Sequence, residues 1–182
     1  MRHIGQWTVD PHRAVLLIHD VHGFFQRPSA TGRPPVKPAA NATRLRRRAA
    51  AVDIPVAYTA PPDSMVPARQ RMKDEPLAPR TGDWLLTQSE HSAFSKTELR
   101  ALMWRCGRDQ LVLCGVYAHR GVLMTAVEAF DCDIQPFLVS DAIADNAADE
   151  SRLALDQVAG WCAVVSTTDD VLGQLSPMKA AS

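Results

Sequence analysis

Several side chains able to bind a ligand or transfer a proton stand together within residues 108–130. Residues 111–114 form a short apolar run, typical of a strand buried on both faces of a parallel sheet. Apolar residues recur at helical spacing over residues 122–130. Between these two elements the sequence places Tyr117, His119, Arg120 and Gly121. They follow a strand and precede a helix, a position where α/β proteins bind ligands and where free N–H groups favour an anion.

A carboxylic acid stands at the end of another apolar run. Asp20 follows residues 13–19, which predict a second buried strand. A carboxyl at a strand end among apolar residues suits the donation of a proton. The alternative is that Asp20 only caps a turn.

The elements needed to hold these residues alternate along the chain. We predict strands at residues 13–19, 54–59, 84–87, 111–114, 134–139 and 162–166. We predict helices at residues 95–106, 122–130, 150–159 and 168–175, and one that begins at an Asn41 N-cap and ends near Asp53. This alternation predicts one α/β domain over residues 1–182, with three layers and a central, mostly parallel sheet. Residues 23–38 and 61–83 are predicted to be loops, and residues 46–48 a solvated basic helix face.

Composition excludes several classes of protein. The chain has 182 residues, and its 20 Lys and Arg residues balance 20 Asp and Glu residues, so nothing indicates nucleic acid or a membrane as a partner. The start has no apolar signal-peptide core. The four cysteines lack C-x-x-C spacing, and two of them, Cys114 and Cys162, stand in apolar patterns. We expect a cytoplasmic protein without disulfides.

Three segments together resemble the isochorismatase family of the cysteine-hydrolase-like α/β fold. They are RAVLLIHD at residues 13–20, DWLLTQSEHSAF at 83–94, and GRDQLVLCGVYAHRGVLMTAVEAFDCDIQPFLVSDAIAD at 107–145. The resemblance is greatest to the branch that hydrolyses isochorismate or its 2-amino analogue. It implies cleavage of a vinyl ether with release of pyruvate, no metal and no cofactor, a small-molecule substrate and a homodimer.

The resemblance also assigns roles to individual residues. Asp20 matches the catalytic acid, and Gly121 stands where nicotinamidase relatives carry a nucleophilic cysteine, which excludes thiol catalysis at this position. Tyr117 matches a pocket tyrosine, and residues 115–117 match a segment that carries a cis peptide. His119 matches a histidine expected to bond to the backbone. The substrate-binding set implied here is His22, Phe25, Tyr117, Arg120 and Gly121.

The sequence departs from the family pattern mainly around the pocket. The motif T-K-W-R-Y-S-A-F becomes residues 87–94, so a lysine is replaced by Gln88 and a tyrosine by His91. Residues 60–63 lose a substrate-binding glutamine, and the H-D-M-Q pattern ends in His22. Loss of the lysine removes a positive charge expected near Asp20, and Arg120 is a candidate to replace that charge. We therefore predict Asp20, Gln88 and His91 as the catalytic group.

Three functions remain open on these residues. The first is an isochorismatase-type hydrolase of secondary metabolism that acts on a chorismate-derived or related carboxylated metabolite with Asp20 as acid. The second is a lyase, isomerase or cyclisation catalyst that uses His91 or His22 as base. The third is a binding protein that keeps only the fold. The scattered histidines lack the spacing of a metal motif, so no metal is expected.

Overall fold

A six-stranded parallel sheet forms the centre of the molecule. The computed structural model describes residues 4–20, 36–62 and 76–175. The strands are β1 (Ala14–His19), β2 (Val56–Ala60), β3 (Trp84–Thr87), β4 (Gln110–Val116), β5 (Gln135–Ala144) and β6 (Val164–Ser166). Their order is β3-β2-β1-β4-β5-β6, and all neighbouring strands run parallel. The predicted α/β class and parallel sheet are confirmed.

Helices cover both faces of the sheet, which gives the three layers predicted. The helices are α1 (Val36–Ala51), α2 (Leu99–Arg105), α3 (Leu123–Asp131), α4 (Ala148–Val158) and α5 (Thr168–Gln174). Helices α1 and α5 pack into one apolar cluster with one face of the sheet. Helices α2, α3 and α4 pack into a second cluster on the other face. A short 3₁₀ turn, Ile4–Gln6, precedes β1, and a π-helical turn, Ala118–Val122, joins β4 to α3.

The two central strands explain why the strand prediction succeeded. Every residue of β1 and of β4 is buried, as the continuous apolar runs require. The chain winds outward from these strands in both directions, so the order of connection reverses between β1 and β4. In such sheets the crevice at this reversal, beyond the carboxyl ends of the strands, is the usual place for a ligand.

The beginning of α1 differs from the prediction. The helix begins at Val36, not after an Asn41 N-cap, so it includes the end of the predicted loop 23–38. The prediction placed Pro38 in the loop. A proline nevertheless fits the first turn of a helix, because the N–H group that it lacks would have no partner there. Asn41 lies in the second turn, where its Nδ2 donates to the carbonyl oxygen of Asp141 at 2.9 Å.

The predicted basic face of α1 is also partly wrong. Arg47 is exposed, but Arg46 is 3% exposed. The Arg46 guanidinium donates from Nη2 to both carboxylate oxygens of Asp83, at 3.0 and 2.8 Å, and from Nε to the Tyr58 hydroxyl at 3.0 Å. A buried guanidinium needs such partners because removing it from water is costly. This ion pair fixes the turn before β3 against α1.

The remaining differences concern boundaries. Helix α2 begins at Leu99, four residues later than predicted, and β5 continues to Ala144, five residues beyond its predicted end. Cys114 and Cys162 are buried, as predicted, and all four cysteines are free thiols. Across the part of the chain that the structure describes, no helix is long and apolar enough to cross a lipid bilayer.

Candidate functional site

Asp20 lies at the reversal point of the sheet, directly after β1. Its backbone has a φ of 48°, in the left-handed region that a non-glycine residue adopts uncommonly. Its N–H donates to the Thr59 hydroxyl at 3.0 Å, and Thr59 is completely buried near the end of the neighbouring strand β2. A hydrogen bond from the neighbouring strand thus holds the backbone of Asp20, and this fixes the position from which its side chain extends.

A cavity of about 450 Å³ opens at this edge of the sheet. Its described lining residues are Asp20, Pro61, Pro62, Gln88, Ser89, Glu90 and His91. The three residues predicted as the catalytic group, Asp20, Gln88 and His91, are therefore brought to one cavity. Its volume suits a small-molecule ligand. Among the described lining residues only the two prolines are apolar, and the expectation that apolar residues surround Asp20 remains a prediction.

Gln88 is held rigidly within the loop that follows β3. Its Nε2 donates to the carbonyl oxygens of Glu90 at 2.5 Å and of His91 at 2.7 Å. Both amide hydrogens are used, so the orientation of the amide is fixed by its acceptors. Its Oε1 is buried and has no hydrogen-bond partner among the residues that the structure describes. Gln88 therefore organises residues 88–91 and brings no charge to the cavity.

Glu90 and a neighbouring lysine form an ion pair at the rim of the cavity. Lys96 Nζ lies 2.7 Å from Glu90 Oε1, and this pairing lowers the pKa of Glu90 and raises that of Lys96. Among the described lining residues the charged side chains are carboxylates, since neither lysine nor arginine is present there. The described part of the cavity therefore supplies acids and one imidazole.

The His19 ring lies buried beneath this loop. Its Nδ1 is 3.0 Å from the carbonyl oxygen of Val116, and its Nε2 is 3.1 Å from the carbonyl oxygen of His91. Burial lowers the pKa of His19, while the two carbonyls and the neighbouring Asp20 act in the opposite direction. The contact with Val116 reaches the end of β4, and the contact with His91 reaches the loop after β3.

Two glycines make room for His19. A Cβ on Gly121 would overlap the imidazole, with Nε2 at 2.7 Å and Nδ1 at 2.9 Å. Gly115 has a φ of 135°, and a Cβ there would overlap the backbone of His19. The backbone at Gly115 therefore comes directly against the end of β1. The strand itself continues one residue further, to Val116.

The turn after β4 has the unusual backbone that the resemblance implies. The peptide bond between Val116 and Tyr117 is cis. Tyr117 is half-buried and precedes the π-helical turn, and Gly121 within that turn is buried. Neither residue belongs to the described lining of the 450 Å³ cavity. Their predicted roles in substrate binding remain predictions.

Arg120 and His119 form a hydrogen-bonded chain with Asp145, which directly follows β5. Arg120 Nε donates to His119 Nε2 at 2.9 Å, so the ring proton of a neutral His119 lies on Nδ1 and donates to Asp145 Oδ2 at 2.6 Å. The predicted backbone partner of His119 is thus replaced by a carboxylate. Arg120 is exposed and faces His119, so the charge proposed to replace the lysine is not placed in the described cavity lining.

The same chain of residues is the one described group with the composition of a metal site. The potential ligand atoms of His119, Asp145 and Glu150 lie within 4.8 Å of one another. Asp145 also accepts the N–H groups of His119 and Asn146, at 2.9 and 2.7 Å. In this arrangement Asp145 accepts hydrogen bonds from the His119 ring and from two backbone N–H groups, so hydrogen bonding accounts for the cluster and no metal is assigned to it.

A wider groove of about 730 Å³ shares Glu90 and His91 with the cavity. It runs along the outer side of α3, past Leu123, Met124 and Val127, and contains neither Asp20 nor Gln88. Because the groove is larger but lacks the strand-end residues, the smaller cavity is the better candidate for chemistry.

Two predicted site residues, His22 and Phe25, lie outside the described residues, as do residues 63–75 of the predicted loop over this edge. Conversely, sequence analysis assigned no role to His19 or Thr59. Thr59 carried one usable signal, because it is polar at the end of a buried strand. His19 carried none beyond its position next to Asp20.

The parallel sheet, the carboxyl at its reversal point and the π-helical turn after β4 define a class of protein. The family model described as the isochorismatase domain matches residues 13–170, and the chain belongs to the isochorismatase family.

Similarity to curated relatives extends over almost the whole chain. The chain is 46% identical over 187 residues to the phenazine biosynthesis protein PhzD of Pseudomonas fluorescens, and the alignment covers 93% of this chain and 89% of PhzD. It is 40% identical to the isochorismatase of Bacillus subtilis, covering 93% of this chain and 60% of that protein. A cysteine hydrolase from Pseudomonas syringae pv. phaseolicola has the same fold, with a TM-score of 0.79 at 20% identity over 93% of this chain and 95% of its own.

Proposed function

We propose that the protein is an isochorismatase-type hydrolase of secondary metabolism that acts on a small chorismate-derived or related carboxylated metabolite. The observation that carries this proposal is the joint presence of Asp20, Gln88 and His91 in one cavity at the reversal point of the sheet. Names of the relatives, isochorismatase and phenazine biosynthesis protein, support the reaction class and the metabolic setting.

In the proposed reaction Asp20 donates a proton to the methylene carbon of the substrate's vinyl ether. The resulting oxocarbenium ion adds water and loses a proton to the Asp20 carboxylate, which restores the acid. The hemiketal then breaks its bond to the ring oxygen, giving pyruvate and a ring alcohol. The protein contributes a proton donor whose backbone is fixed by Thr59, and no covalent intermediate is required.

Other residues would shape the pocket. Gln88 holds the loop, and His91 presents an imidazole at the cavity. Tyr117, Gly121 and Arg120, from the turn after β4, together with His22 and Phe25 are proposed to contact the substrate. Because Gln88 takes the place of a lysine in the family motif, the pocket is proposed to prefer a substrate other than that of the lysine-containing relatives.

The test is incubation with isochorismate and with 2-amino-2-deoxyisochorismate, followed by a coupled assay for pyruvate. We expect pyruvate from at least one compound, and a loss of about 100-fold or more in kcat for Asp20→Asn, since a positioned proton donor contributes about that much. Asp109→Asn is the matched control, because that carboxylate forms an ion pair with Arg13 at the opposite edge of the sheet.

Gln88→Lys separates two ways in which the wild type could fail. Pyruvate from this variant alone would mean that the pocket accepts the compounds and lacks only the charge at residue 88. No pyruvate from either protein would contradict the proposed reaction on these substrates. Unchanged turnover in Asp20→Asn would contradict the proposed role of the acid.

A second candidate is a reaction without hydrolysis, such as an elimination or a cyclisation, with His91 as base. One observation favours this function. Among the described lining residues His91 supplies the imidazole, and the other titratable groups are the carboxylates of Asp20 and Glu90. This function predicts consumption of a substrate without pyruvate, at a rate that falls as the imidazole is protonated. His22 would be the alternative base. Ligands bound without consumption would instead indicate a binding protein.

We further propose that the protein works in the cytoplasm as a homodimer. The large exposed side chains Trp104 and Trp161, 81% and 53% exposed, are candidates for the interface. Light scattering on the purified protein, with Trp104→Ser as the first variant, tests this proposal.

A further inference from the structure

We propose that His19 is a positioning residue that latches the loop of residues 88–91 to the end of β4. Its role in turnover rests on the proposed function, whereas the latch itself does not. The ring connects two segments that are distant in the sequence, and one of them, residues 88–91, lines the cavity that holds Asp20.

The contacts of the ring are unusual for a core histidine. It is 2% exposed, and each of its nitrogens faces a backbone carbonyl, Val116 at 3.0 Å and His91 at 3.1 Å. A neutral imidazole donates to one of these carbonyls and packs against the other, so the ring joins the two segments by one hydrogen bond and one close contact. The groups that face it are these carbonyls, Asp20 next along the chain and the His91 residue above it.

The loop end of the latch is shared with Gln88. The carbonyl oxygen of His91 accepts from Gln88 Nε2 at 2.7 Å and lies 3.1 Å from the His19 ring, so it meets one group from within the loop and one from beneath it. The Gln88 amide closes the loop upon itself, and His19 attaches the closed loop to the sheet. The amide hydrogens of Gln88 therefore report on whether the latch is closed.

The position of the His19 ring explains why residue 121 is a glycine. The ring occupies the space that a Cβ of residue 121 would need, so the turn after β4 packs directly on the imidazole. His19 thereby contacts both the loop after β3, which lines the cavity, and the turn after β4, which is not part of the described lining.

Hydrogen exchange of the Gln88 side-chain amide tests the latch without a substrate. In the ¹⁵N-labelled protein, the amide of the exposed Gln157 serves as the unprotected reference. We expect the Gln88 side-chain amide to exchange about tenfold more slowly than that of Gln157. In His19→Phe the Gln88 exchange rate should rise about tenfold, which is the size expected for one lost hydrogen bond. The ¹⁵N shifts of the His19 ring should show at least one nitrogen protonated and hydrogen-bonded.

A destabilised variant remote from the site serves as the control. Gln110 is 1% exposed at the amino end of β4, so Gln110→Leu disturbs the core without touching the latch, and Gln88 exchange should stay within about twofold of the wild type. His19→Gln keeps one donor and one acceptor and replaces His19→Phe if the latter does not fold. With a substrate identified, both His19 variants should lower kcat/KM about tenfold or more.

The possible outcomes separate the two proposals. Faster Gln88 exchange in the folded His19 variants, with no change in Gln110→Leu, supports the latch even if no pyruvate is formed. Two results would overturn the latch, whatever the pyruvate assay shows. One is a wild-type protein in which Gln88 exchanges as fast as Gln157, and the other is Gln88 exchange that the His19 variants do not change. A protein that forms no pyruvate but shows the latch contradicts only the proposed function.

Discussion

Substitution of Gly121 by alanine should destabilise the protein, although the residue lies in a helical turn where alanine is normally favoured. Helix propensity alone would stabilise the variant by about 1 kcal/mol. The new methyl group, however, would overlap the His19 ring, and overpacking in a buried site costs about 1–3 kcal/mol. A displaced ring would also leave its carbonyl partners unsatisfied, at a cost of about 1–3 kcal/mol. We expect a net loss of about 1–5 kcal/mol.

Urea denaturation followed by circular dichroism measures this loss, with Gly173→Ala as the control. Gly173 lies on the exposed side of α5, and outside its own turn of helix no atom of the described residues lies within 4 Å of the position that a Cβ would take there, so alanine should stabilise by about 0.5–1 kcal/mol. The double variant His19→Ala, Gly121→Ala provides the second arm. Because the methyl group then has space, the effects of the two substitutions should be less than additive by about 1 kcal/mol or more.

The reasoning would be refuted by a Gly121→Ala variant as stable as the wild type or more so, since helix propensity would then act without opposition from the ring. Strict additivity in the double variant would also contradict it. Both results would mean that His19 does not fill the space beside residue 121.

Two further predictions concern buried polar groups. Arg46→Ala should lower the free energy of unfolding by about 3–5 kcal/mol in urea denaturation, because it leaves the 9% exposed carboxylate of Asp83 without its partner, whereas Arg47→Ala on the exposed face should change it little. Burial lowers the pKa of His19 below its ordinary value of 6.5, so the unfolded chain takes up this proton first. The free energy of unfolding should therefore fall as the pH drops below 6.5, and His19→Gln should flatten that dependence; an identical slope in both proteins would contradict it.

The sequence predicted the sheet well because its strands are short apolar runs buried on both faces. Residues 13–19 and 111–114 needed no long-range information to be recognised. The boundaries of α1 were harder, since Pro38 reads equally as the end of a loop and as the first turn of a helix. Arg46 could not be predicted as buried, because its partner Asp83 is 37 residues away in the sequence.

The same distinction applies to the site. The meeting of Asp20, Gln88 and His91 follows from topology, because the carboxyl ends of parallel strands share an edge. The hydrogen bond between Arg120 and His119 could not be predicted from topology. It depends on the orientation of the His119 ring, which is set by Asp145 at the end of another strand. His19 was overlooked for a similar reason: its neighbours Val116, His91 and Gly121 are assembled by three separate segments.

The position of β1 inside the sheet has a consequence for synthesis of the chain. Ala14 of β1 pairs with Gln110 of β4, 96 residues later, so β1 leaves the ribosome long before its second neighbour exists. Until β4 emerges, the nascent chain presents an apolar strand with one open hydrogen-bonding edge, a surface that invites aggregation. The described residues that line the cavity at Asp20 all precede β4 in the chain. An N-terminal fragment that ends before residue 110 therefore carries these residues but lacks the β4 carbonyl, at Val116, that the His19 ring contacts beneath them.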